Sequence, residues 1–247
     1  LFRAKETGFR SFYQRSQAGS GMSKCEENKI QVFGLNDDIE RFVKVCAEAD
    51  KLRLQMMPIN TEAVDSVSEV QPSPNDVFNS LLFHKHLKSK SLGRVLLYSD
   101  CLKSTQSTLF SDLNSKQSNV LVIADRQSAG RGRGNNTWTS PPGCLLFSFS
   151  AATKEGWRLP FYQYLVSMAV LRGISEVVGA DASTALGIRV KWPNDIYGPG
   201  GLKVGGILCQ SSVTPGGGPA PFFVVCGVGL NVLNSAPTKS LVELARE

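Results

Sequence analysis

Gln127-Ser-Ala-Gly-Arg-Gly-Arg-Gly134 and, further along the chain, Lys191-Trp-Pro-Asn-Asp195 are the two stretches that decide how this sequence is read. The first follows Val120–Ala124, an apolar run that predicts a strand. Glycines at 130, 132 and 134 let the backbone turn sharply and present its N–H groups. Arg131 and Arg133 add two permanent charges with forked donors. Such a loop suits a phosphate or a carboxylate. Its spacing is neither G-x-G-x-x-G nor G-x-x-x-x-G-K-[ST], which excludes the dinucleotide-binding fingerprint and the P-loop. Taken alone, it also fits a flexible basic loop or an RNA contact. In the second stretch Pro193 ends a strand, because it lacks an N–H and forces the residue before it to be extended. Asn194 and Asp195 then project from the strand end, where an Asp can hold Mg²⁺ beside phosphates. The plainer alternative is a turn built on Asn-Asp.

Two weaker signals lie downstream. Lys203-Val-Gly-Gly206 opens a strand with a mobile charge ahead of two glycines, where backbone can approach a ligand. Gly227-Val-Gly-Leu-Asn231 puts glycines at a strand end, followed by an amide. Around these sites the pattern alternates irregularly. Val77–Lys90, Ser104–Leu113 and Phe161–Val178 predict helices, with Ser104 near the start of the second. Arg94–Tyr98, Cys144–Ser150, Ile188–Trp192, Lys203–Gln210 and Phe222–Cys226 predict strands, the last two joined across the Gly/Pro loop Thr214–Pro221 as a hairpin. Strict βαβ alternation is missing, so an α+β fold is expected.

Toward the N-terminus the character changes. Residues 36–57 have helical periodicity, with Asn36 as N-cap and Asp37 and Asp38 in the first turn. Residues 58–76 read as a linker. The net charge of +6 is uneven: residues 1–21 carry four basic side chains and one acid, residues 22–79 six and eleven, residues 80–247 seventeen and nine. Residues 1–21 have the composition of an organellar transit peptide, or of a simple disordered leader. The acidic segment after them argues against a DNA-binding helix. The positive excess beyond it suits anionic small molecules or an acidic partner. The longest apolar run, near Phe222–Leu230, has about ten residues against the roughly 20 of a membrane span, so no membrane segment is expected. Six cysteines without a C-x-x-C spacing and two histidines make a zinc site improbable. Cys144, Cys209 and Cys226 lie in apolar runs and read as buried thiols of a reducing compartment.

Order and spacing together carry more than any single stretch. Ser104-Thr105-Gln106, Gln127 to Arg133, Trp138-Thr-Ser-Pro141, Lys191 to Asp195, Lys203 to Gly206 and Gly227 to Asn231 resemble, in that order, the catalytic domain of the biotin protein ligases, or holocarboxylase synthetases. The resemblance covers about residues 78–247. It implies an α+β fold with a mixed sheet and helices packed on one face, similar to class II aminoacyl-tRNA synthetases. It divides the chain into a disordered leader (1–30), an acidic segment and linker (31–77) and a catalytic domain (78–247). It also implies biotin and ATP as substrates with Mg²⁺, biotinyl-5′-adenylate as the intermediate, and transfer to a lysine of a biotin carrier domain of carboxylases such as acetyl-CoA carboxylase.

By the same resemblance, Ser104, Thr105, Gln106 and Gln127 would bind the ureido ring and its neighbouring atoms. Gly130, Arg131, Gly132 and Arg133 would close over biotin and the adenylate, in a loop fixed by ligand rather than by packing. Trp138 would stack on adenine and Asn231 would read its edge. Lys191, Asn194 and Asp195 would serve the nucleotide, with Asp195 at Mg²⁺. Lys203 would contact the biotin carboxylate and then the acyl phosphate, and Gly206 would let its strand pass close to biotin. Arg133 and Lys203 are the expected catalytic cations, and Trp192 is assigned to core packing.

Members of the family continue beyond the position of Asn231 into a further helix and a small β-barrel, so the domain is read as truncated at its C-terminus. Gly134-Asn135-Asn136 stands where many bacterial members are more basic. The N-terminal segment lacks a basic recognition helix, and no operator binding is expected. Lipoate ligases and octanoyl transferases use an Arg…Gly-Gly-Gly-x-x-x-His pattern, whereas no histidine follows His86 here. Two alternatives stand beside the ligase: an impaired fragment that binds biotin only, and a basic RNA-binding protein, which would need exposed aromatics among its basic residues. The cytosol is the default compartment, with residues 1–21 pointing to plastid or mitochondrion.

Overall fold

The computed structural model describes residues 30–45, 54–66, 78–113, 118–214 and 220–246. Its elements in chain order are β1 (Ile30–Gly34), α1 (Asn36–Val45), β2 (Leu54–Pro58), α2 (Thr61–Ser66), α3 (Ser80–His86), β3 (Val95–Leu102) and α4 (Thr105–Ser107), which runs into a π-helical turn (Thr108–Asp112). There follow β4 (Val120–Gln127), β5 (Gly130–Arg131), β6 (Thr137–Trp138), β7 (Cys144–Thr153), α5 (Leu159–Val178) and α6 (Ala180–Ala185). The last are β8 (Arg189–Lys191), β9 (Asp195–Tyr197), β10 (Lys203–Val213), β11 (Phe222–Asn231) and α7 (Leu241–Leu244). Nine strands form one sheet in the order β2-β1-β3-β4-β7-β11-β10-β9-β8, and β5 and β6 form a separate two-stranded ribbon. β1 with β2 and β3 with β4 are parallel, and the remaining pairs are antiparallel. The expected mixed α+β sheet is present.

Both faces of its centre are buried, which is why β11 reads as an almost unbroken apolar run. On one face Val224, Cys226, Val228 and Leu230 of β11 and Ile207 of β10 pack against Val166, Ile174 and Val178 of α5. On the other, Phe223 and Val225 continue through Val122, Leu97 and Val32 to Leu109, Leu113 and Phe42. Helices therefore lie on both faces rather than on one. The long α5 holds the first face, while α1 and the turn after α4 hold the second. The cause is legible in register: β11 alternates, and each face needs its own cover.

The N-terminal readings need correction. The helix expected over residues 36–57 is the helix Asn36–Val45 followed by the strand Leu54–Pro58, with residues 46–53 outside the described residues. β1 was not foreseen. It pairs antiparallel with β3 and parallel with β2, so the acidic segment contributes two strands to the same sheet. Ile30 and Val32 are buried with Phe42, and Arg94 beside β3 meets Asp38 of α1 at 3.2 Å. Pairing along β1 outweighs the local helical pattern of Leu54–Met57. Within the expected linker, residues 61–66 are helical. Of the expected leader 1–30, residues 1–29 lie outside the described residues and Ile30 opens β1. No described helix is long and apolar enough to cross a membrane.

Candidate active site

Two strands make the floor. In the antiparallel register of β10 and β11, Gly206 faces Gly229, Leu208 faces Gly227 and Gln210 faces Val225. These residues share one side of the sheet, and three of the six are glycines. At Gly227 an added Cβ would stand 2.5 Å from Gln106 Oε1 and 3.0 Å from Ser148 Oγ. At Gly229 it would meet the Trp138 indole at 2.6 Å. The missing side chains leave a cavity of about 210 Å³ above the sheet.

The part above Gly227 is lined by hydrogen-bonding groups on rigid elements. Ser104 caps α4, its oxygen accepting from Ser107 N, and this aims Thr105 and Gln106 at the floor. Gln127, at the end of β4, accepts from Thr105 N at 2.8 Å and from Thr105 Oγ1 at 3.2 Å. Its Nε2 donates to Ser140 Oγ at 3.0 Å. Thr105 Oγ1 pairs with Ser148 Oγ at 2.9 Å, and Ser148 Oγ donates to Gln106 Oε1 at 3.3 Å. Thr105, Gln106 and Ser148 are buried.

The part above Gly206 is charged. Lys203 Nζ lies 2.7 Å from Asp195 Oδ1 and 5.6 Å from the Trp138 ring centroid. Arg133 Nη1 donates to Asn194 Oδ1 at 3.2 Å. Asn194 in turn is clamped to β10, giving Nδ2–H to Ile207 O at 3.0 Å and accepting from Ile207 N at 2.8 Å. Arg131 and Arg133 are exposed and line the same cavity. Three cations against one carboxylate make this an anion site. The buried Nε1–H of Trp138 has no partner among the described residues.

Of the residues expected from sequence, Ser104, Thr105, Gln106, Gln127, Arg131, Gly132, Arg133, Trp138, Asn194, Asp195, Lys203 and Gly206 line this one cavity. Three others stand apart. Gly130 shapes the ribbon, where a Cβ would collide with Trp138 O and Ser140 Oγ. Lys191 is exposed, with Nζ 4.7 Å from the Tyr197 ring centroid. Asn231 is buried, its Nδ2 donating to Thr238 Oγ1 at 2.7 Å and its Oδ1 accepting from Cys144 Sγ at 3.5 Å. Thr238 passes the link to the Lys203 carbonyl at 2.9 Å, so Asn231 supports the Lys203 backbone. Trp192 is not in the core: it is 75% exposed and donates from Nε1 to Tyr164 OH at 2.9 Å.

The loop 130–138 carries backbone structure of its own. It closes on itself as the β5–β6 ribbon, with Gly132 N bonded to Asn136 O at 2.9 Å and Asn136 N to Arg133 O at 3.2 Å. These backbone bonds give the loop a closed form of its own, on which a ligand would act.

Ser148 escaped the sequence reading. Phe147-Ser-Phe-Ser150 places serines at period two in an apolar strand, which marks one face without saying what crosses it, and both serines are fully buried. Among the described residues no cluster of three His, Cys, Asp or Glu could hold a metal. Asp195 offers one carboxylate, which fits a Mg²⁺ that is otherwise held by phosphates and water. The free thiols Cys144 and Cys226 are no nucleophiles: burial pushes Cys144 up to about 12, and the Cys209 contact and burial push Cys226 up as well.

Comparison with known proteins points the same way. Residues 98–231 match the model of the biotin/lipoate A/B protein ligase family. Biotin--protein ligase 2 of Arabidopsis thaliana is 38% identical over 164 residues, 66% of this chain and 48% of that protein. Biotin--protein ligase of Homo sapiens is 33% identical over 195 residues, 76% of this chain and 26% of that protein. The chain spans about half the length of the Arabidopsis relatives and about a quarter of the human one. Among solved structures, biotin protein ligase from Leishmania major in complex with biotinyl-5-AMP shares the fold, with a TM-score of 0.50 and 24% identity over 61% of this chain and 64% of that one. The matched segment runs from β3 to the end of β11 and contains the floor, the polar cradle and the cations, so the chain belongs to the biotin/lipoate A/B protein ligase family.

Proposed function

We propose that this chain activates biotin with ATP and transfers the biotinyl group to a lysine of a carboxylase's biotin carrier domain. One observation carries the reading: a buried cradle of amides and hydroxyls and a cluster of cations share one small cavity. The cradle suits a polar, uncharged ring such as a cyclic urea, which needs several matched hydrogen bonds when buried. The cations suit a carboxylate and an α-phosphate, which repel each other and must be held together.

In the first step a biotin carboxylate oxygen attacks the α-phosphorus, and pyrophosphate leaves. Lys203, already at the cavity edge, neutralises the carboxylate on approach and the acyl phosphate afterwards. Arg131 and Arg133 hold the phosphate oxygens, with Arg133 anchored through Asn194. Asp195 holds Lys203 in place and is the residue that would hold a Mg²⁺, whose charge would offset that of the pyrophosphate. In the second step the acceptor lysine amine attacks the acyl carbon, AMP leaves and a proton is released. No covalent enzyme intermediate is needed, in keeping with the raised thiols of Cys144 and Cys226. Acetyl-CoA carboxylase is the acceptor of choice to try first. The transit-peptide reading of residues 1–21 is tested separately by fusing them to a fluorescent reporter.

The test is transfer of labelled biotin to a biotin carrier domain. The reading expects label that depends on ATP and is lost when the acceptor lysine becomes arginine. Label that appears without ATP, or a folded chain that labels nothing, contradicts it.

A further inference from the structure

Lys203 reaches the cavity against the alternation of its own strand. Successive side chains of a strand point to opposite faces. At Gly206 an added Cβ would lie 3.6 Å from Lys203 Cε and from the Trp138 ring, on the cavity side, while Ile207 packs in the core beneath α5. Strict alternation carried back from Gly206 would put Val204 on the cavity side and Lys203 in the core. The structure has the reverse: Val204 is fully buried with Ile207, and Lys203 lines the cavity. The cause lies in the pairing of β10 with β9, where Lys203 is opposite Tyr197 but Gly205 is opposite Ile196. Two residues of β10 advance against one of β9, a bulge that re-aims the side chain. Gly205 gives it room, since a Cβ there would stand 2.8 Å from Leu230 Cδ1 and 3.0 Å from Gly229 O.

On its other side β10 pairs with β11 only from Gly205 onward, opposite Leu230, so Lys203 has no β11 residue opposite it. Thr238, on the segment after β11, takes that place and donates from Oγ1 to Lys203 O at 2.9 Å. A backbone carbonyl only accepts, so the Thr238 proton is used there and the hydroxyl accepts from Asn231 Nδ2 at 2.7 Å. Asn231 then presents Oδ1 to Cys144 Sγ at 3.5 Å, a thiol that burial keeps protonated. Every donor in this chain has its acceptor, and all point one way, toward the bulge.

We propose that Thr238 is a positioning residue for adenylate formation: its hydroxyl fixes the bulge that turns Lys203 into the cavity. This rests on the proposed function and deepens it. The bulge decides the side of the sheet on which Lys203 enters, while its four-carbon stem keeps its own freedom. Thr238 is not among the residues lining the cavity and lies beyond the segment 98–231 that matches the family. It acts through the Lys203 carbonyl and does not touch the ligand.

The test follows pyrophosphate release at saturating biotin and Mg·ATP in the purified chain and its Thr238→Val and Thr238→Ser variants, with biotin titrations and thermal melts on the same samples. Thr238→Val is expected to slow release by about tenfold, the scale of one lost hydrogen bond, with biotin affinity within about twofold of wild type. Thr238→Ser keeps the hydroxyl and is expected to keep the rate. Placed in a Lys203→Ala background, Thr238→Val is expected to cost nothing further, because its effect passes through that side chain. Thr238→Ala gives the same reading should the valine variant not fold. A folded Thr238→Val or Thr238→Ala protein with an undiminished rate overturns the inference and leaves the ligase reading standing. So does a serine variant as slow as the valine one, or an equal loss with and without Lys203, since the role would then lie elsewhere than in placing that lysine. A folded wild-type chain that releases no pyrophosphate overturns the ligase reading, and the inference with it.

Discussion

The two parts of the cavity are built on different principles. Above Gly227, buried side chains on α4, β4 and β7 satisfy one another through short bonds, and one added methyl group has no room. Above Gly206, long charged side chains reach in from a ribbon and a strand start, partly exposed, and the nearest atoms to an added Cβ are 3.6 Å away. The first is a rigid recognition surface, where misplacing one atom breaks a network. The second is a field of charge, tolerant in geometry, whose worth appears when negative charge gathers in the reaction. On the proposed function, recognition and chemistry are separated by about two residues along the strands.

Substitutions can break this division, and the largest effect is expected at the charged part. Lys203→Ala should slow pyrophosphate release by about a hundredfold or more, the scale of losing one charge-stabilising donor. Biotin affinity should fall far less. An equal fall in both would mean that Lys203 binds rather than catalyses.

Gly227→Ala comes next and should do the reverse. The methyl group would displace Gln106 at a cost of roughly 1–3 kcal/mol, read as a loss of about tenfold or more in biotin affinity by titration. Gly206→Ala meets only ordinary contacts in the protein, so its fold should be undisturbed and its melting temperature unchanged. If Gly206→Ala unfolds the chain and Gly227→Ala does not, the floor has been misread.

The smallest expected effect in rate is that of Arg133→Gly. It removes the bond to Asn194 and loosens the ribbon. Adenylate should then escape, and mass spectrometry should find more biotin on lysines of a bystander protein. Unchanged rate and unchanged selectivity would contradict the role given to Arg133.

The same contrast explains what could be read before the fold was known. Arg131 and Arg133 announce themselves in sequence, because charges next to glycines have few structural uses, whereas Lys203 and Asp195 emerge only from the order and spacing of the stretches taken together. Ser148 emerges from neither, because a polar residue in a strand gains its meaning from which face it is on and what crosses above it. Lys191 and Asn231 belong to the right motifs yet stand off the cavity, one exposed beside Tyr197 and one holding Thr238. Motif membership does not say which side of a strand a side chain takes. β1 and β2 were missed for a related reason. Leu54–Met57 carry a helical pattern, and only the open edge of β1 makes a strand of them. Phe42, the largest fully buried side chain of α1, shows how firmly that segment joins the core.

The account stands most directly on one titration of this chain, with biotin first and then with Mg·ATP, while pyrophosphate is followed in the same sample. It predicts saturable biotin binding that needs no nucleotide, followed by one equivalent of pyrophosphate when ATP is added. A chain that melts cooperatively but binds no biotin, or that releases pyrophosphate equally without biotin, would contradict it.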